Sequence, residues 1–168
     1  MHKQFINLVR LSSKELVALS IEKKADRPKR LAVVMQISID TPDNARKSFS
    51  NGDKFPFTIE VNLKMFDQDF INENVSDEES FDPATSADFS FKCDCKIYIE
   101  VAFKQDETYK SSLAPQFSEE LISLAYDDFR IIIEDSINRT SYRGFYLPQD
   151  FREILHSSDV LIEPDNDQ

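Results

Sequence analysis

Residues 89–103 read FSFKCDCKIYIEVAF. From Phe89 to Phe103 every second side chain is apolar. The intervening side chains, from Ser90 to Glu100, carry hydroxyl, charged or phenolic groups. A period of two places the apolar side chains on one face of a β-strand and the polar ones on the other. The stretch therefore predicts a long strand with one buried and one solvated face. Such a strand is typical of an antiparallel sheet, because parallel strands are usually covered on both faces.

Two further segments, residues 31–40 and residues 55–65, alternate in the same way. A weaker strand pattern extends from Phe5 to Ile21, with a bend expected at Ser12 and Ser13. The sequence thus predicts three strong strands and a weaker one that precedes them.

Beyond Phe103 the apolar period changes to about 3.6 residues, which predicts a helix of about 22 residues with Ser118 as its N-cap. Ile122 and Ile131 lie off the main apolar stripe of this helix. We therefore expect a second helix or a second subunit to pack on it. A short helix is expected over residues 150–155, capped by Asp150.

Composition excludes several classes of protein. The chain has 168 residues, and 20 Lys and Arg against 31 Asp and Glu give a net charge of −11, which disfavours nucleic acid and membrane surfaces as partners. Only two glycines occur, so no glycine-rich phosphate loop can form. No stretch is apolar enough to span a membrane, and the first ten residues predict no signal peptide. We expect a cytoplasmic protein.

Metal and catalytic sites have little support in the sequence. Cys93 and Cys95 are two residues apart on an apolar strand face, and no second Cys or His cluster could complete a metal site with them. The acidic stretch from Met65 to Asp88 resembles a calcium loop only in part, because Ile71 and Asn72 replace a ligand and the turn glycine. We expect a mobile solvated loop there. No pair of acids stands out for acid–base work, so we expect no enzyme and no cofactor.

Short matches along the chain resemble the SecB family of export chaperones. Residues 10–16 (RLSSKEL) resemble the family's first strand, and residues 35–40 (MQISID) resemble its second. The strongest match lies at the C-terminal end and consists of Arg130, Arg139, Leu147-Pro148 and Phe151.

Three departures from the family pattern mark a divergent member. Thr140 replaces a common glycine, Tyr98 and Ile99 occupy a strand region where glycines are usual, and the acidic connection is longer than the usual hairpin.

The resemblance implies an α+β fold: an antiparallel four-stranded sheet with one long C-terminal helix plus a short helix. It also implies a tetramer built as a dimer of dimers. Residues 1–156 would form a single domain, followed by an acidic, flexible tail over 157–168. An apolar groove would bind clients through six side chains: Met35, Ile37, Ile39, Leu147, Phe151 and Leu155.

The predicted function is that of a holdase chaperone, which binds unfolded precursors in this groove without catalysis. The apolar strand and helix faces exceed what one sheet and one helix would hide, which independently suggests self-association or a binding groove. In the family, acids on the solvated sheet face contact the SecA motor; Glu15 and Asp94 match two of them, whereas Leu19 replaces another. Two alternatives remain: a solitary chaperone dedicated to one partner such as an antitoxin, or an oligomeric binding or scaffold protein of the same fold.

Overall fold

The computed structural model describes residues 4–42, 45–74, 82, 85–155 and 160–162. Seven strands and five helices occur within these residues. The strands are β1 (Val9–Lys23), β2 (Leu31–Asp40), β3 (Ser48–Phe49), β4 (Lys54–Asp67), β5 (Phe91–Phe103), β6 (Glu107–Thr108) and β7 (Val160–Ile162). The helices are α1 (Phe5–Leu8), α2 (Gln68–Asn74), α3 (Leu113–Gln116), α4 (Ser118–Asn138) and α5 (Phe151–Leu155).

The main sheet has the strand order β1-β5-β4-β2-β7. The four long strands are antiparallel to one another, whereas the three-residue β7 pairs in parallel with β2. The long helix α4 contacts β5 and β4, the two central strands. The predicted α+β class, with an antiparallel four-stranded sheet, a long helix and short helices, is confirmed.

Cross-strand register gives the sheet one continuous apolar face, which we call the inner face. Ile97 of β5 lies opposite Ile59 of β4, and Ile59 lies opposite Ile39 of β2. The inner-face residues of β4 and β5 are 0–2% exposed. These central strands therefore form the core that α4 covers.

Two register shifts interrupt β1, between Leu11 and Ser13 and between Leu16 and Ala18. Each shift inserts one residue and reverses the alternation of faces. The first lies at Ser12 and Ser13, where the sequence predicts a bend. The two together explain why the sequence pattern of this strand is weak. The segment also begins differently from the prediction, because residues 5–8 form the short helix α1 and β1 starts only at Val9.

Helix α4 has 21 residues, close to the predicted length. The prediction that Ser118 is its N-cap is wrong by one position, since Phe117 occupies the cap and Ser118 is the first helical residue. Phe117 offers no side-chain cap hydrogen bond, and its ring instead stacks on Phe5 at 5.0 Å between centroids. Packing of the aromatic core thus sets where the helix begins. Asp150 does cap α5, with the Arg152 amide donating to its carboxylate at 3.0 Å.

The start of the acidic connection has regular structure, which the sequence analysis did not predict. β4 continues to Asp67, and α2 follows at once. Near the other end, the Ser90 amide donates to the Met65 carbonyl at 2.8 Å. Residues 75–81 and 83–84 lie outside the described part of the chain. In the C-terminal tail, residues 160–162 form β7, and the predicted flexibility of the remainder also falls outside the described residues.

Candidate functional site

The predicted groove residues lie inside the protomer's own core. Met35, Ile37, Leu147 and Phe151 are 2–8% exposed and belong to one hydrophobic cluster, against which Ile39 packs half-buried. The side chain of Leu155 lies outside the described part of the structure. The chain thus gathers β2 and the α5 region into one core, closed in this conformation. Their role as a client groove stays a prediction.

Hydrogen bonds to α4 hold the segment that leads into α5. The Tyr126 hydroxyl donates to the Pro148 carbonyl at 2.5 Å, and the Leu147 amide donates to the Glu134 carboxylate at 2.8 Å. Burial raises the pKa of Tyr126 to about 12, so its hydroxyl remains a donor at neutral pH. The ring of Phe151 packs 5.7 Å from that of Tyr126. A few hydrogen bonds and one ring contact therefore fasten this segment over the core.

The outer edge of β2 carries the second feature of this region. Residues Val160 to Ile162 pair in parallel with residues Met35 to Ile37, so two of the predicted groove residues also lie in the strand segment that receives β7. No other described strand pairs with this edge of β2. Residues 31–34 and 38–40 therefore have no strand partner there within the described residues.

The surplus apolar surface predicted from the sequence lies on β1 and α4. The residues of β1 that pair with the inner-face residues of β5 include Leu11, Leu16, Leu19 and Ile21. They continue the inner face to the sheet edge, yet they are 41–50% exposed. Ile131 of α4 is 58% exposed and, with Leu19 and Ile21, lines a cleft of about 550 Å³. This uncovered surface is called the β1–α4 face below.

Sequence reasoning attributed the surplus to the strand and helix faces together and did not single out β1. The available signal was the separation of three positions between Leu16 and Leu19, with the apolar Val17 and Ala18 between them. A bulge accounts for that spacing, since the inserted residue restores the neighbouring leucines to one face.

The solvated face of the sheet carries Glu15 and Asp94, the predicted motor contacts. Glu15 pairs with Tyr98, four residues along β5 from Asp94, so the two acids are about 13 Å apart along the strand direction at about 3.3 Å per residue. Asp94 is paired with Lys92 at 2.8 Å. The same face has ion pairs between Lys54 and Glu100 and between Lys96 and Glu60. Acids and bases here are interspersed, and the motor contact stays a prediction.

The two cysteines are positioned as predicted, on the buried face of β5. Cys93 and Cys95 are free thiols at 0–1% exposure. Burial raises the pKa of Cys93 to about 12 and that of Cys95 to about 11. Both therefore remain protonated at neutral pH and are poor nucleophiles and metal ligands. Within the described residues, no three His, Cys, Asp or Glu side chains could hold a metal ion.

The strand order, the long helix over the central strands and the short helix that follows it make this an α+β domain. Among solved structures, it is similar to the SecB-like chaperone Rv1957 of Mycobacterium tuberculosis, determined in complex with a ChAD peptide from the Rv1956 HigA1 antitoxin. The TM-score is 0.58 at 12% sequence identity, and the match covers 84% of this chain and 89% of that chain.

The similarity to Rv1957 is one of fold. No protein-family model matches the sequence, and a search of curated proteins finds no match. None of the helices in the described residues is long and apolar enough to cross a membrane.

Proposed function

We propose that this protein is a holdase chaperone that binds unfolded or extended polypeptides and releases them unchanged. The observation that carries the proposal is the similarity in fold to the SecB-like chaperone Rv1957, which was determined in complex with a peptide. The inner-face leucines and isoleucine of β1, which a single protomer leaves 41–50% exposed, support the self-association that the proposal includes. Client binding in a groove requires no catalytic residue and no cofactor.

Self-association uses the β1–α4 face in this proposal. β1 has 15 residues and forms one edge of the sheet, so one side of its backbone has no strand partner among the described residues. A long apolar edge strand pairs readily with another chain. A second copy would cover both the free backbone and the exposed side chains, and pairs of such dimers would form the predicted tetramer.

Clients would bind in the region between β2 and α5. Met35, Ile37, Ile39, Leu147, Phe151 and Leu155 form the proposed groove. Four of these side chains are buried in the closed protomer, so binding requires that the segment carrying α5 move away from β2. The hydrogen bonds from Tyr126 and to Glu134 would then be exchanged for contacts with the client. Several copies of the groove in one oligomer provide avidity without sequence selectivity.

A dedicated partner is the second candidate, and the antitoxin peptide bound to Rv1957 favours it. In that case the same groove would hold one aggregation-prone protein rather than many. A scaffold role of the same fold would give a stable complex with a folded partner. Delivery to the SecA motor has weaker support, because the acids of the solvated sheet face are interspersed with lysines. The two protonated thiols are compatible with a reducing, cytoplasmic setting.

Light scattering of a denatured client tests the proposal. Guanidine-denatured rhodanese is diluted into buffer with one tetramer of this protein per client, and we expect aggregation to fall by more than half. Phe151→Ala should weaken the suppression because it removes a groove side chain. Tyr146→Ala is the matched control, since this aromatic residue is 71% exposed and outside the groove.

Absence of suppression by the wild-type protein would refute the holdase function. Purification of a single stoichiometric partner, together with failure to suppress rhodanese aggregation, would instead support the dedicated-partner alternative.

A further inference from the structure

The outer edge of β2 is occupied by the protein's own C-terminal strand. β7 pairs in parallel with residues Met35 to Ile37, through backbone hydrogen bonding of the kind that any extended chain can offer. The paired residues read Val-Leu-Ile, and acids at Asp159 and Glu163 flank them. Branched apolar residues favour strands, so this short segment has the composition of an extended client.

β7 is short in comparison with the edge that it covers. It pairs with three residues of β2, whereas β2 has ten. Only residues 156–159 separate the end of α5 from the start of β7. The short connection keeps the segment beside its docking edge even when the pairing opens. On both sides of the paired segment, β2 has no strand partner at this edge among the described residues, which leaves room for a longer strand.

We propose that the β2 edge is a docking site for extended client segments, which add as a strand parallel to β2, and that β7 is an intramolecular occupant which they displace. This inference rests on the proposed chaperone function and specifies its mode of binding. Strand addition provides affinity through the client's main chain, which explains how varied sequences could be held. The preferred client segment is extended, apolar and β-branched.

The strength of the competition depends on the tether and on the affinity of the isolated segment. A short linker gives an effective concentration of about 1 mM. If the isolated segment binds the edge with a dissociation constant of about 0.1 mM, the edge is occupied about ten times more often than it is free. The apparent affinity for a client then falls about tenfold, and release of β7 restores it.

Proline substitution in the full chain tests this. In a parallel pair of strands, only every second residue hydrogen-bonds to the neighbouring strand through its backbone. Because proline has no backbone N–H, Val160→Pro with Leu161→Pro removes the donor whichever of the two residues bonds to β2. The matched control is Asn166→Pro with Gln168→Pro, which adds two prolines to the same tail outside β7 without a change in charge. Binding of fluorescent, reduced and carboxymethylated α-lactalbumin is measured by anisotropy for the wild type and both variants.

We expect the V160P/L161P variant to bind this client about tenfold more tightly than the wild type, and the control to match the wild type. Equal affinity of all three proteins within twofold would overturn the inference and leave the chaperone function intact. Failure of all three proteins to bind this client would overturn both the inference and the proposed chaperone function.

A second measurement follows the β2 edge directly. Hydrogen exchange of the wild type and of the V160P/L161P variant is followed over residues 31–40, with and without a saturating synthetic peptide of residues 157–165. For the V160P/L161P variant we expect faster exchange in this segment, and restoration of protection when the peptide is added. Exchange over residues 31–40 that changes neither with the prolines nor with the peptide would overturn the inference.

Discussion

Substitution of Ile131 tests the β1–α4 face as the contact between copies. This side chain is 58% exposed on α4 and lies beside Leu19 and Ile21 at the cleft, so a second copy that covers the face would bury it. Ile131→Ala leaves the protomer nearly unchanged, since alanine is the better helix former and little buried contact is lost.

The expected magnitude follows from the exposed fraction. The substitution removes three carbon atoms, at about 0.8 kcal/mol for each buried group. Scaling by the 58% that remains exposed in the protomer gives about 1.4 kcal/mol per copy, and about 2.8 kcal/mol for a symmetric pair in which the residue counts twice. At about 1.4 kcal/mol per factor of ten, association should weaken about 100-fold.

Sedimentation velocity over a concentration series measures the association constant directly. Tyr146→Ala serves as the control, because it removes a 71% exposed aromatic side chain that does not line the cleft. The thermal midpoint at low protein concentration should be the same for all three proteins. A wild type that stays monomeric at about 100 μM, or an Ile131→Ala variant that associates as tightly as the wild type, would refute the assignment of this face.

Four further predictions concern the core and its titratable groups. Ile133→Ala, at a fully buried position of α4, should lower the free energy of unfolding by about 2–5 kcal/mol in urea titrations, and a loss below about 1 kcal/mol would contradict the observed packing. Tyr126→Phe should cost about 1 kcal/mol by removal of the hydrogen bond to Pro148, and unchanged stability would mean that this bond contributes nothing. Burial raises the pKa of Cys93 to about 12, against an ordinary value of 9.0, which makes its thiolate about a thousandfold rarer at pH 8. Because the thiolate is the reactive form, iodoacetamide should modify Cys93 only after the protein unfolds. Because this pKa is higher in the folded state, its contribution to stability is complete below pH 9 and declines as pH rises toward 12, and a C93A/C95A variant should show a flatter decline.

The central sheet could be predicted from sequence because its strands obey a single rule. In β4 and β5 every inner-face residue is apolar, and every register pair on the inner face joins two such residues, so the alternation is uninterrupted. The length of α4 was equally accessible. Of the two residues predicted to lie off its apolar stripe, Ile131 is exposed, whereas Ile122 is buried within the protomer. Local periodicity is sufficient to predict a strand or helix when one face of that element is buried along its whole length.

The other features of the fold and of the candidate site depend on interactions that sequence periodicity does not encode. The bulges of β1 reverse its faces twice, so a strict period of two assigns Leu16 and Leu19 to opposite sides although they share one. The start of α4 follows the stacking of Phe117 on Phe5, which are far apart in sequence. The burial of Met35 and Ile37 by the protomer's own residues, and the pairing of β7 with β2, likewise arise from tertiary contacts. Sequence could propose these groove residues but could not tell a closed core from an open trough.

The strand order also constrains how this polypeptide is made. β1 leaves the ribosome first, yet its neighbour is β5, and Val9 must wait until Phe103 has been synthesised. β2 must likewise wait for β4. Contacts between such distant segments slow folding and leave nascent apolar strands without neighbours in the interval. A protein proposed to bind unfolded chains therefore itself remains incompletely folded for a long interval during synthesis. Its yield in cells should depend on the chaperones that bind it in that interval.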